Sequence, residues 1–387
     1  MITTGFTYLA VLVFLAAIMV WAEKRYKDTR FFKYVPAVVL LYFTSMLLST
    51  FGLWQKTDDV NLYYSIFRNG LLPPMIFLML LRCDIRKILK LGPKMLLGFF
   101  AASFSIGIGF VVTYFIFKNA YVADTWKAFA ALAGSWMGGT GNLVAIQGAL
   151  NVPDAALGYT LLIDSINYSI WVMLLLALVP FGKLFNKWTK ADTSIIDRVG
   201  AQLEKDQETV RKEIEFSDMM VLVGVSLFVA AMAMFLGGKL PESDFLSGST
   251  WTVILVTIAG IIAAMTPLAK LPGSSQISNS MLYTIVALIA SRANFAELTQ
   301  APLYIFSGFV ILAVHALCMM LIAKIFKLDL FTCGVASLAN IGGVASAPIL
   351  AASYSEALIP IGVLMAMMGY VVGTGGGLLV GRILSLM

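Results

Sequence analysis

The chain has 387 residues, of which 60% are hydrophobic and only 12% charged, with a formal net charge of +6. A soluble domain carries about 25% charged residues, so an ordinary soluble fold is excluded and an all-α polytopic membrane protein is expected. The basic residues sit beside apolar stretches, which reads as topology and not as affinity for nucleic acid.

Ten apolar stretches, near 4–22, 35–54, 60–81, 95–117, 155–181, 217–238, 250–269, 277–291, 302–323 and 357–381, are each about long enough to cross roughly 30 Å of hydrocarbon. Two more, 125–149 and 329–352, are interrupted by glycine. The expectation is therefore about ten full transmembrane helices plus two broken or re-entrant ones. The first stretch lacks a basic leader and a small-residue cleavage site, so it reads as a retained helix. Lys24, Arg25, Lys27, Arg30 and Lys33 follow it, and Arg82, Arg86, Lys87, Lys90 and Lys94 follow the third. Such loops stay cytoplasmic as a rule.

The first break reads Ser135-Trp136-Met137-Gly138-Gly139-Thr140-Gly141-Asn142. Unwound backbone inside a bilayer must be buried in protein or line a cavity, because no water is there to satisfy it. Glycines let backbone amides approach a ligand, and helix N-termini pointing into the break would favour an anionic group. Ser135, Thr140 and Asn142 add side-chain hydrogen bonds. The alternative is that the glycines merely allow close helix packing.

Asp164 is the one carboxylate deep within an apolar stretch, and it shares a helix face with Asn167, with Tyr168 close by. Ionisable residues there are costly and are functional candidates. Hard oxygens suit Na⁺; a protonatable carboxyl suits H⁺ instead. A locally capped structural Asp is the other reading. Residues 183–217 form the one long polar stretch, with a helix expected from Thr193-Ser194 that links two halves.

The second half repeats the order of the first. Asn69 and Arg82 are 13 residues apart, as are Asn279 and Arg292, and Pro93 and Pro302 open the next helix in each half. The second break, Asn340-Ile341-Gly342-Gly343-Val344-Ala345-Ser346, matches the first. Asp154 and Glu356 start the last helix, each followed 14 residues on by a tyrosine, Tyr168 and Tyr370. The divisions are 1–182, the linker 183–217, and 218–387. If each broken element is a re-entrant hairpin, each half crosses five times and the second is inverted. The basic loops, the linker and Lys324/Lys327 then share one side, with Arg292 the one misfit. Substrate contacts are expected from Asn340, Gly342, Gly343 and Ser346 facing the first break.

His315, the sole histidine, lies mid-helix and reads as a hydrogen-bonded packing residue more readily than a proton relay. Gly369, Gly373 and Gly375-Gly376-Gly377 in the last helix read as a surface for close contact. Cys83, Cys318 and Cys333 show neither metal-ligand spacing nor a disulfide pattern.

At Gly134 to Asn142, Asp164-Ser165, Asn340 to Gly343 and Ala347-Pro348 the chain resembles the bacterial membrane family called domain of unknown function 819. The Gly-Gly-x-Gly core is also similar to the re-entrant tips of sodium-coupled citrate and glutamate symporters. That resemblance implies two inverted repeats forming a scaffold and a mobile domain that works as an elevator. The second break reads Gly-Gly-Val-Ala and departs from the pattern.

No soluble-enzyme motif is present, so an enzyme is not expected. The expected function is secondary active transport of a small organic anion or zwitterion across the bacterial cytoplasmic membrane, coupled to Na⁺ or H⁺ at Asp164 and Asn167. No cofactor beyond such a Na⁺ is expected; the partners are the substrate, membrane lipids and a second copy in a homodimer. A channel, or a non-transporting component that binds lipid or protein, are the alternatives.

Overall fold

A computed structural model describes the chain except residues 28, 30, 33–36, 154–155, 193–212, 244–246, 293–300 and 356–357. The first half contains α1 (Gly5–Arg25), α2 (Ala37–Thr50), α3 (Asp58–Leu80), α4 (Gly92–Phe117), α5 (Thr125–Gly138), α6 (Thr140–Leu150) and α7 (Ala156–Leu178). A short helix, α8 (Gly182–Thr189), opens the linker. The second half contains α9 (Phe216–Gly237), α10 (Gly248–Ala263), α11 (Ser274–Ala290), α12 (Ala301–Phe326), α13 (Leu330–Ile341), α14 (Gly343–Tyr354) and α15 (Ile359–Ser385).

Helix starts follow ordinary capping chemistry. Thr57 accepts from the Val60 N–H ahead of α3, and Asp58 and Asp59 occupy its first turn. Ser247 and Thr250 form a capping box at α10, and Asp329 accepts from the Thr332 N–H at α13. Six helical stretches are both long and apolar enough to cross a membrane: Gly5–Arg25, Gly92–Ala120, Ala156–Thr189, Phe216–Gly237, Ala301–Phe326 and Ile359–Ser385. The count of ten expected from apolar length is therefore not reached on these terms. α2 and α10 have 14 and 16 residues, and α3 carries Asp58, Asp59 and the internal pair Pro73-Pro74.

Seven helices in each half run in the same order. α3 packs on α11, α4 on α12 and α5 on α13, so equivalent helices meet. One cluster, around Tyr8, Leu12, Leu41 and Leu288, joins α1, α2 and α11. A larger one, around Phe99, Phe110, Trp136, Tyr304, Leu338 and Met365, joins α4, α5, α12, α13 and α15. Between them, Leu72 and Ile76 of α3 and Val256 of α10 pack with Leu143 and Ile146 of α6. The linker helix expected from Thr193 and the acidic residues Asp154 and Glu356 lie outside the described residues.

Candidate functional site

Both breaks are helical hairpins. At the first, Gly139 takes φ +87° and ψ 173°, the chain reverses, and Ile146 of α6 returns against Gly134 of α5. At the second, Gly343 has φ +57° and Leu350 of α14 returns to within 3.1 Å of where a Cβ on Gly334 would stand. A straight helix would hold residues 12 or 16 positions apart about 18 to 24 Å from each other.

The first tip is held against the last helix by glycine packing. Gly134 and Gly138 face Gly369, Gly373 and Gly377: a Cβ on Gly373 would lie 2.8 Å from the Gly138 Cα, and one on Gly377 2.8 Å from the Gly134 Cα. This is the small-xxx-small contact by which membrane helices approach closely. The contact surface expected in the last helix is thus real, but it recruits Gly138, whose carbonyl also accepts from Asn142 Nδ2 at 2.6 Å. Thr374 Oγ1 donates to Asn142 Oδ1 at 2.6 Å, so the Asn142 amide staples the tip to α15. Asn340 does the same for the second hairpin, donating to the Ala336 carbonyl at 2.9 Å and accepting from Ser103 Oγ of α4 at 2.7 Å. Both asparagines are buried, as is Ser135.

Open geometry is left to fewer of the expected residues. Gly139, Thr140 and Gly342 are half-buried, and a Cβ on Gly343 would meet nothing within 4 Å. Ser346 is buried and its Oγ has no hydrogen-bond partner. α6 and α14 both begin at the tips without a side-chain cap, so two positive helix ends approach the same region. The tips converge on Gly369, where a Cβ would lie 3.0 Å from the Gly138 Cα and 3.4 Å from the Ala339 carbonyl oxygen. The repeat-related tyrosines cross over: Tyr370 lies 3.8 Å from the Cβ position of Gly139, and Tyr168 lies 2.5 Å from that of Gly342. Each half's tyrosine therefore lies against the other half's tip.

Trp136 of the first hairpin donates its Nε1–H to Asp164 Oδ1 at 2.9 Å, tying the half-buried carboxylate to the tip. Asn167 turns instead to α12, donating to the Ile305 carbonyl at 3.1 Å beside Gly308. Its Oδ1 is buried without a hydrogen-bond partner. Asp164 and Asn167 are thus adjacent on α7 but engage different helices. A carboxylate and an unpaired amide oxygen are the hard donors a small cation takes. Arg292, the topological misfit, stacks 4.3 Å over Tyr64 and donates to Asn61 Oδ1 at 2.7 Å; Arg82 donates to Ser275 Oγ at 3.2 Å.

His315 is fully buried between two hydroxyls, Nδ1 2.7 Å from Ser105 Oγ and Nε2 2.8 Å from Ser337 Oγ. Ser105 donates to the Ala102 carbonyl, so it accepts from Nδ1–H. Ser337 accepts from Trp171 Nε1–H and donates to Nε2. One neutral tautomer satisfies every member of the chain.

The sequence carried no direct sign of the Trp136–Asp164 bond or of Thr374. The four-residue spacing of Gly134/Gly138 and of Gly369/Gly373/Gly377 was the available signal for the tip's packing partner.

The two halves are not equally covered. On α6, Gly141 packs on Met79 and Gly148 on Leu72 of α3, and the Ala149 carbonyl accepts from Thr250 Oγ1 of α10 at 2.8 Å. The crevice left beside Gly141, Asn142 and Tyr370 measures about 10 Å³, room for about one water. On α14 the matching face is open, with Ala345 exposed and Ile349 59% exposed.

The chain is similar to the uncharacterized membrane protein YjcL of Bacillus subtilis (strain 168), with 22% identity over 380 residues, covering 94% of each protein. The family described as "Protein of unknown function (DUF819)" matches residues 10–387, and the chain belongs to that membrane-protein family.

Proposed function

We propose that the protein is a secondary active transporter of the elevator type, built from two inverted repeats and carrying a small organic anion or zwitterion across the cytoplasmic membrane. The observation that carries this reading is the convergence of two glycine-tipped hairpins, one from each half, on Gly369. Irregular backbone is tolerated at membrane depth where it lines a site, and paired helix N-termini there favour an anionic group. Each hairpin returns to the side it enters from, so each half crosses five times and the second runs inverted. In this reading α1–α3 with α9–α11 form the scaffold, and α4–α7 with α12–α15 move. Gly139, Thr140, Gly342, Gly343 and Ser346 hold the substrate. Ser135, Gly138, Gly141, Asn142 and Asn340 shape and brace the tips. Asp164, oriented by Trp136, binds the coupling Na⁺ or H⁺, with the Asn167 amide oxygen nearby on the same helix.

The unequal covering of the hairpins supports one conformer of an alternating-access cycle, closed at the hairpin 1 face and open at the hairpin 2 face. The test is gradient-driven uptake in proteoliposomes, preceded by a thermal-shift screen of small metabolites with and without sodium to find the cargo. Asp164→Asn is expected to bind that cargo but to lose accumulation under a cation gradient. Full gradient-driven accumulation by this variant would overturn the assignment of Asp164.

A further inference from the structure

The linker opens with α8, an amphipathic helix that the transport reading leaves without a role. At 100° per residue its side chains fall into three sectors. Asn186 and Thr189 point into the protein: Asn186 Oδ1 accepts from the Leu330 N–H at the base of hairpin 2 at 2.9 Å, and Thr189 is buried. Phe181, Leu184 and Trp188 form a second sector and are 56%, 69% and 45% exposed. Lys183, Lys187 and Lys190 form the third and are all exposed, with exposed Lys327 beyond the end of α12. Among the described residues none of these four lysines has an acidic partner. Lys324 donates to the Trp188 carbonyl and lies 4.9 Å over its ring, fixing α8 to the end of α12.

A second feature adjoins it. An apolar cavity of about 230 Å³ opens beside α8, lined by Leu178, Phe181, Phe185, Met319 and Met320, with Ala316 on its wall. A cationic sector, an exposed tryptophan and a hydrocarbon cavity within one short helix match the parts of one molecule. From this juxtaposition we propose that α8 binds an anionic phospholipid, with the phosphate at Lys183, Lys187 and Lys190 and an acyl chain in the cavity. Aromatic and lysine side chains at a membrane surface favour this arrangement, and anionic headgroups add attraction for each lysine. Because Asn186 caps the start of α13, the bound lipid braces the base of hairpin 2.

The test uses the full chain in nanodiscs of phosphatidylcholine alone or mixed with phosphatidylglycerol. Lipid retention is read by native mass spectrometry and stability by thermal unfolding. Phosphatidylglycerol is expected to be retained selectively and to raise the unfolding temperature. Each lysine contributes about fivefold in affinity, so Lys183→Gln with Lys187→Gln and Lys190→Gln lowers retention roughly a hundredfold. Ala316→Phe fills the cavity and should weaken long-chain phosphatidylglycerol while sparing soluble glycerol phosphate, separating the chain's contribution from the headgroup's. Equal retention of the two lipids, or retention unchanged in the triple variant, overturns the proposal. Full competition by inorganic phosphate or glycerol phosphate also overturns it, since the site would then take a free anion.

Discussion

At the scale of single residues, the glycines divide into those that pack and those that turn. A Cβ at Gly138 would be driven into the Gly369 carbonyl, whereas one at Gly375, on the same helix as Gly369, would meet nothing within 4 Å. Gly138→Ala is therefore expected to destabilise the protein by about 1–3 kcal/mol through overpacking, and to separate the tip from α15. Gly375→Ala should be neutral or stabilising by up to about 1 kcal/mol, since the added methyl clashes with nothing and favours the helix. Thermal unfolding in detergent checks the pair, and equal melting temperatures would contradict the packing account. His315 yields the opposite kind of expectation. Its ring ends a donor chain that runs from Trp171 to the Ala102 carbonyl, so His315→Leu leaves buried hydroxyls short of partners and should cost about 1–3 kcal/mol. If the ring only braces α4 against α13, the pH profile of uptake in His315→Leu keeps the shape of the parent. A shifted profile would make it a proton carrier.

At the scale of elements, the apolar stretches foretold the long helices to within a few residues, because hydrophobic length is a local property of the chain. The hairpins were legible through parity and loop charge. α8 was not: its eight residues carry alternating lysines and aromatics whose meaning depends on the neighbouring ends of α12 and α13. Asp329 was missed for the same reason. It is fully buried, accepts from the Thr332 N–H and hydroxyl at 2.7 Å each, and lies 3.5 Å from Lys94 Nζ. One carboxylate thus starts the first arm of hairpin 2 and ties it to the start of α4. Asp329→Ala removes the cap and isolates the Lys94 ammonium, an expected loss of about 2 kcal/mol or more. Asp329→Asn keeps an acceptor for the Thr332 N–H and should lose less. Chemical unfolding of both variants measures the difference, which vanishes if the contact with the helix start contributes nothing.

For the whole molecule, the repeat makes the unseen half of the cycle specific. Gly141 and Ala345 stand at the same distance, three residues, past Gly138 and Gly342, and Met79 and Ile289 stand ten residues past Asn69 and Asn279. Gly141 packs on Met79, while Ala345 is exposed. If the halves exchange roles, the second conformer brings Ala345 against Ile289 and releases Gly141 from Met79. With Cys83, Cys318 and Cys333 replaced, Met79→Cys/Gly141→Cys should cross-link readily in the resting protein and stop uptake. Ile289→Cys/Ala345→Cys should cross-link only under conditions that drive turnover, at a rate that responds to substrate and to the coupling ion. The contrast between pairs matters more than either alone, because a rigid protein would link the first and never the second. Continued uptake with no link at Ile289 and Ala345 would separate transport from sliding, and would leave the hairpins as a fixed site reached by local opening.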